Sequence, residues 1–215
     1  MKTYILLFIF LCMSILSKGF SQNKTTAQDT ETYTSIQEAL RNPEKVKRLD
    51  LSNQKIDFPK GFWSKFKNLE YLSLKNEGLM FLPEGISELK SLKVLDVSGN
   101  DFKVLPSGFT KLTKLEELFL NDEKNIDLSR NIDLISKMKN LKVLHIENDG
   151  LKKLPPNFWK LNYLEAVYLN DNELKEFDFP KQKINNLKNI YLNNNLFMPS
   201  DIDRLNTQYG TLLRF

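Results

Sequence analysis

From Val46 onward the apolar positions follow a fixed beat: three apolar residues, mostly leucine, in the spacing Leu-x-x-Leu-x-Leu, then a polar turn and a further apolar residue. The run starts at Val46, Leu69, Leu92, Leu115, Leu141, Leu164 and Leu187, at intervals of 23 residues five times and 26 once. A period of that length predicts a stack of small units, none able to bury its own apolar face alone. Within the third copy, Leu92, Leu95 and Val97 alternate with Val94, Asp96 and Ser98, which predicts a short strand buried on one face.

The rest of each unit is predicted to turn and come back. Gly99-Asn100 turns the chain, Phe102 and Leu105 point into the core, and Pro106 favours an extended return with no sheet partner. Phe109 and Leu112 then close the unit. The same return appears as Leu82-Pro83-x-x-Ile86-x-x-Leu89 and Leu154-Pro155-x-x-Phe158-x-x-Leu161, with Phe58-Pro59 and Phe179-Pro180 as variants of shifted spacing. Trp63 and Trp159 each follow a phenylalanine and read as packing on the side away from the sheet. The longer fourth unit lacks Leu-Pro; Ile132, Ile135 and Met138 have helical spacing there, with Ser129 or Asn131 as candidate caps.

These residues resemble the leucine-rich repeat, in the short form of bacterial proteins and of the plant intracellular Ras-group type, over about Lys45 to Pro199. The resemblance implies an α/β fold: a right-handed solenoid of seven repeats with a concave parallel β-sheet, short helical or irregular convex segments, and a cap at each end. Family members bond neighbouring turns through an asparagine after the strand. It is present at Asn100, Asn172 and Asn195, whereas Gln54, Glu77, Glu123 and Asp149 replace it, which puts the ladder in question at Glu77 and Glu123. The preceding position is always Asn, Asp or Gly, residue types that tolerate left-handed turns.

The ends differ from the repeats. Residues 1–21 read as a signal peptide: Lys2, an apolar run from Tyr4 to Ile15, then Gly19 and Ser21 before a cut after Ser21. The apolar run is too short to suit a bilayer core of roughly 30 Å, so no membrane span is expected once it is removed. Residues 22–33 read as a flexible leader and 34–45 as an N-terminal helical cap, in which Ser35-x-x-Glu38 or Thr34-x-x-Gln37 boxes a helix to Arg41 that stops at Asn42-Pro43. The repeat domain then runs over 46–199, and 200–215 read as a C-terminal cap, with Ser200 as N-cap of a closing helix, Asp203 reaching back to it, and Leu212, Leu213 and Phe215 sealing the edge. Cys12, the only cysteine, lies in the export segment behind Leu11, which is too large for a lipidation site. The absence of cysteine-stapled caps beside an export signal suggests a bacterial-type protein that is periplasmic, cell-surface or secreted.

Charge narrows the classes of function. Without Lys2 and Lys18 the basic residues fall from 31 to 29 against 27 acidic ones, too balanced for nucleic acid. One histidine, no Gly-rich phosphate loop and no metal-ligand spacing leave catalysis without a candidate site and imply no cofactor. His145, with Glu147 on the same face and Glu117 across the strands, has no nucleophile to activate.

What remains is a surface. The residue between the second and third apolar positions gives one column across the sheet: Asp50, Ser73, Asp96, Phe119, His145, Tyr168 and Tyr191. Arg48, Tyr71, Glu117 and Asn189 lie on one side of it; Lys75, Asn121, Glu147, Asn170 and Asn193 lie on the other. Amphipathic rings among Asn and acids have the composition of a protein-recognition surface, and the same stacking also serves merely to support a sheet. The candidate partner-binding residues are Tyr71, Glu117, Phe119, His145, Glu147, Tyr168, Asn170, Tyr191 and Asn193. The expectation is a monomeric, non-catalytic module that binds a protein through this face. Surface polysaccharide is the alternative ligand, and weak adhesive self-contact a third.

Overall fold

The structure is a computed structural model of the 215-residue chain and describes residues 31–177 and 186–215. The expected signal peptide 1–21, most of the expected leader and Phe179-Pro180 lie outside the described residues.

Among the described residues nine parallel strands form one open sheet in strict chain order: β1 (Thr32–Tyr33), β2 (Arg48–Asp50), β3 (Tyr71–Ser73), β4 (Val94–Asp96), β5 (Glu117–Phe119), β6 (Val143–His145), β7 (Ala166–Tyr168), β8 (Asn189–Tyr191) and β9 (Leu213–Arg214). Strands β2 to β8 coincide with the Leu-x-x-Leu-x-Leu copies. Their middle residues stack in register from Leu49 through Leu72, Leu95, Leu118, Leu144 and Val167 to Ile190, and each is at most 1% exposed. Behind this spine pack Phe66, Phe102, Phe109 and Phe158, all fully buried. Each such side chain contributes about 1.5–3 kcal/mol of burial, and because the residues on either side come from adjoining units, the stack is stable only as a whole.

The turns after the strands keep the ladder going. Asn53, Asn76, Gly99, Asp122, Asn148, Asp171 and Asn194 all have φ between 56° and 69°, the left-handed region that the sequence pattern implied. Gly99 has a steric reason of its own: a Cβ there would sit 1.9 Å from Asn76 Oδ1. Buried asparagines bind the preceding turn from below. Asn100 Oδ1 accepts from the Glu77 and Leu79 amides at 3.1 and 3.0 Å, and Asn172 Oδ1 from Asp149 and Leu151 at 3.1 Å each.

The acids that replace asparagine do not break this row, contrary to expectation. Glu77 accepts from the Gln54 and Ile56 amides at 2.6 and 2.9 Å, Glu123 from Asn100 at 2.9 Å, and Asp149 from Glu123 at 2.6 Å. A carboxyl oxygen performs the acceptor half of the asparagine's work. Its donor half goes unused: Glu123 Oε2 and Asp149 Oδ2 are buried with no hydrogen-bond partner among the described residues. Burial pushes each of these two carboxyls up to about 8, more than offsetting the amides they accept from, so both are protonated at neutral pH.

Opposite the sheet the chain returns through short 3₁₀ turns at Trp63–Lys65, Glu84–Glu88, Ser107–Lys111 and Phe158–Lys160, more tightly wound than the extended path that Pro106 suggested. Pro106 itself is extended, and its carbonyl accepts from Phe109 to close the turn at 2.9 Å. The long unit holds a true helix, α2 (Leu128–Ile135). Its cap is Asp127, which accepts from the Arg130 amide at 3.1 Å, and not Ser129 or Asn131. Asn131 is instead buried, stitching α2 to the previous unit through the Leu105 amide at 2.8 Å and the Lys103 carbonyl at 2.9 Å.

At the N-terminal end, α1 (Ile36–Arg41) is capped by Ser35, which accepts from Glu38 at 3.4 Å, and Ala39 is fully buried against the core. Thr32 and Tyr33, read from sequence as the end of a loose leader, pair with β2 and cover its edge. The C-terminal helix α3 (Pro199–Tyr209) starts after Met198 with Pro199 in its first turn, so Ser200 is not the cap. Leu213 is buried on β9, and Phe215 meets Phe197 edge-on at 5.4 Å.

Candidate interaction surface on the open sheet face

With leucines taking the inner side of every strand, alternation leaves the flanking residues on the open face. Strand register joins Asp50, Ser73, Asp96, Phe119, His145, Tyr168 and Tyr191 into one column, which continues into Arg214 on β9.

Four of these side chains stack. Phe119 and His145 lie 3.9 Å apart between ring centroids, His145 and Tyr168 4.3 Å, and Tyr168 and Tyr191 4.2 Å, with planes within 11° throughout. Parallel strands roughly 4.8 Å apart favour this, since a ring in each strand meets the next nearly face to face. Each contact is worth about 0.5–1.5 kcal/mol beyond area burial. The rings therefore show solvent their edges, while their faces are turned on one another.

His145 is the best-held member, 8% exposed and clamped by acids from both flanking columns. Its Nε2 lies 2.9 Å from Glu117 Oε1, and its Nδ1 3.6 Å from Glu147 Oε2. Burial disfavours the charged ring, but the bonds to Glu117 and Glu147 prevail and raise its pKa above the ordinary 6.5. For Glu147 burial likewise pushes upward, and His145 and Asn170 hold it below the usual carboxylate value. Two carboxylates and two ring faces hold a proton and offer no nucleophile.

The outer column forms a row of its own. Asn121 Nδ2 donates to Glu147 Oε2 at 3.2 Å, and Asn121 Oδ1 accepts from the Glu147 amide at 2.9 Å. Asn170 Nδ2 donates to Glu147 Oε1 at 2.6 Å, while Asn170 Oδ1 accepts from the Asn193 amide and side chain at 2.9 and 3.0 Å. The structure thus brings together Glu117, Phe119, His145, Glu147, Tyr168, Asn170, Tyr191 and Asn193. Tyr71 stands apart on β3, where Arg48 lies over its ring at 4.0 Å. Burial first, then Asp50 and Asp96, raise the Tyr71 phenol pKa. Sequence reasoning placed Asn121 beside the site without including it; its position in the outer column is the signal that marks it. Arg214 was missed altogether, because a two-residue strand carries no periodic pattern.

A family model described as a leucine-rich repeat region matches residues 44–133. Together with nine in-register parallel strands, this decides the class. The chain carries a leucine-rich repeat region and has the leucine-rich repeat fold. The leucine-rich repeat fold is shared with a chain of the Drosophila Toll–Spatzle complex (TM-score 0.62, 20% identity over 76% of this chain and 22% of that one). It is shared too with a leucine-rich repeat protein of Leptospira interrogans (TM-score 0.50, 24% identity, 81% and 56%) and an internalin of Listeria monocytogenes (TM-score 0.55, 17% identity, 80% and 48%). This leucine-rich repeat chain spans between about a fifth and just over half of the length of those structures. No curated protein matches it in sequence. Among the described residues no helix is long and apolar enough to cross a membrane.

Proposed function

We propose that this chain is a non-catalytic recognition module, exported in a bacterial-type cell, which binds a protein partner along the C-terminal half of its open sheet face. The observation that carries the reading is the four-ring ladder held edge-on beside a hydrogen-bonded row of Asn and Glu. Side chains already fixed by their neighbours lose little freedom on binding, and tyrosine edges join apolar area to a hydroxyl. A standard interface of roughly 1,600 Å² in total suits a sheet of this size. The Drosophila structure of the same fold is itself an assembly of Toll with Spatzle, in keeping with a protein ligand. Export rests on residues 1–21.

The ring geometry also weighs against surface polysaccharide. A sugar ring stacks on an open aromatic face, and here the inner faces are spent on each other at 3.9 to 4.3 Å.

Photo-crosslinking in the source cell tests the proposal, with benzoylphenylalanine replacing either Asn193 on the sheet face or Lys111 on the opposite side. A discrete protein adduct from the first position and none from the second is expected. The reverse pattern refutes the sheet face as the site. Binding on a glycan array that is lost in Tyr168→Ala would reassign the ligand to polysaccharide.

A further inference from the structure

We infer that the partner presents a basic side chain, arginine above lysine, to the step where the ring ladder begins: stacked on the free face of Phe119 and paired with Asp96. The inference rests on the sheet-face reading above and specifies what the partner must carry.

Each inner ring has both faces covered: His145 by Phe119 and Tyr168, and Tyr168 by His145 and Tyr191. Tyr191 adjoins Arg214 in register, so that end of the column already has a cation beside it. Phe119 is different. Its other neighbour in register is Asp96, followed by Ser73 and Asp50. The column therefore drops from a ring to short polar side chains in one strand spacing, roughly 4.8 Å. The result is a ledge with an aromatic wall and an acidic floor.

A planar group lying on Phe119 at ordinary stacking distance comes to rest above Asp96. Asp96 uses Oδ1 to accept from the Ser98 amide at 2.9 Å, and its Oδ2 has no hydrogen-bond partner among the described residues. Glu117 adds a second carboxylate in the adjoining column of the same strand as Phe119. Of the cations in the adjoining columns, Arg48 is engaged over Tyr71 at 4.0 Å, and Lys75 lies one strand back in the outer column. Glu117 already has one oxygen on His145 at 2.9 Å, so the open acceptor at the ledge is Asp96 Oδ2.

Cation over ring and cation beside carboxylate reinforce one another, since both attractions strengthen as water leaves the ledge. Arginine suits it better than lysine: its flat guanidinium covers the ring while its edge donates to Asp96. A glutamate or an aliphatic side chain gains neither.

The test has two arms, both on the full chain. In the first, Nα-acetyl-arginine methylamide is titrated by NMR, with the acetyl-glutamate and acetyl-norleucine analogues as controls. Saturable shifts are expected at the Phe119 ring and Asp96 for the arginine probe alone, weakening at least tenfold in 0.5 M salt and disappearing in Asp96→Asn. Equal shifts from the controls, no shifts at all, or shifts unchanged in Asp96→Asn overturn the inference. In the second arm, partner capture by the crosslinker at Asn193 is compared between wild type and Asp96→Asn. Loss of capture in the variant, with its melting temperature unchanged, supports the inference. Full capture by Asp96→Asn overturns it and leaves the sheet-face reading standing, whereas no capture even by wild type sinks that reading itself.

Discussion

The two halves of the open face share one backbone and one register, yet their side chains organise in opposite ways. In the N-terminal half the bonds are mainly local: Asp50 and Asp96 each accept from the amide two residues ahead, at Ser52 and Ser98, at 3.0 and 2.9 Å, and one hydroxyl pair, Ser52 with Ser73 at 2.7 Å, crosses strands. In the C-terminal half the bonds run across strands, His145 to Glu117, Asn170 to Glu147, Asn193 to Asn170, and the rings close against each other. Mainly local bonds make a floor with fewer ties between strands. Cross-strand bonds make a surface that is fixed as one body, and a fixed body of ring edges is what a partner can grip at low entropic cost. The Arg48–Tyr71 pair is a smaller cross-strand feature on the floor side.

The contrast is open to mutation. The largest effect is expected from His145→Ala, which removes two stacking contacts and leaves Glu117 and Glu147 facing each other without the imidazole. A loss of about 2–4 kcal/mol in urea unfolding is expected, against about 0.5 kcal/mol or less for Asp96→Asn on the floor. Equal losses would erase the distinction between the halves.

Next in size is the dependence on pH. His145 holds its proton above pH 6.5 only when folded, so its contribution is complete below 6.5 and is lost as pH rises through the raised folded pKa. Glu123 and Asp149, in the turn row under the ladder, act in the same direction. The unfolded chain releases their protons near the ordinary 4.5 and 3.8, while the folded chain keeps them to about 8. Stability therefore declines as pH climbs through that window and levels off beyond about 8. Asp149→Asn removes the titrating group and sets an amide donor where Oδ2 has no partner among the described residues. It is expected to gain about 1 kcal/mol at pH 7.5 and to flatten the decline, read from urea midpoints between roughly pH 5 and 9. A less stable variant at pH 7.5 would contradict the neutral-acid reading of Asp149.

A smaller effect is expected from Glu117→Gln, which takes one carboxylate from the imidazole. The His145 pKa followed by NMR should drop toward the ordinary value, and an unchanged titration would mean that Glu147 alone holds the proton. Least disturbing of all is Tyr191→Phe, which keeps the stack and changes unfolding by about 0.5 kcal/mol or less. Its effect should appear in partner affinity, where a hydroxyl has been removed.

Much of this surface was legible in the sequence, because a constant period fixes the strand register and register fixes columns. Phe119, His145, Tyr168 and Tyr191 fell on one column for that reason alone. That they would stack face to face, with His145 sandwiched, depends on side-chain rotation, which spacing does not encode. The end strands were missed because Thr32–Tyr33 and Leu213–Arg214 are too short to show alternation. The helix caps were misassigned where a polar residue had a stronger competing use: Asn131 is taken up in holding Leu105. Proline at the first turn displaced Ser200, since Pro199 needs no amide partner there and the cap moves back two residues to Met198. Doubt over Glu77 and Glu123 came from treating asparagine as indispensable, when an acceptor oxygen at the same place suffices for the amides.

The central claim, that recognition belongs to the cross-strand half of the face, is tested most directly by one paired comparison of affinity for the captured partner. Tyr168→Ala with Tyr191→Ala is measured against Asp50→Asn with Ser73→Ala, each checked for a retained fold by circular dichroism. The account predicts at least a hundredfold loss for the tyrosine pair and less than threefold for the floor pair. Undiminished binding by the folded tyrosine variant would contradict it.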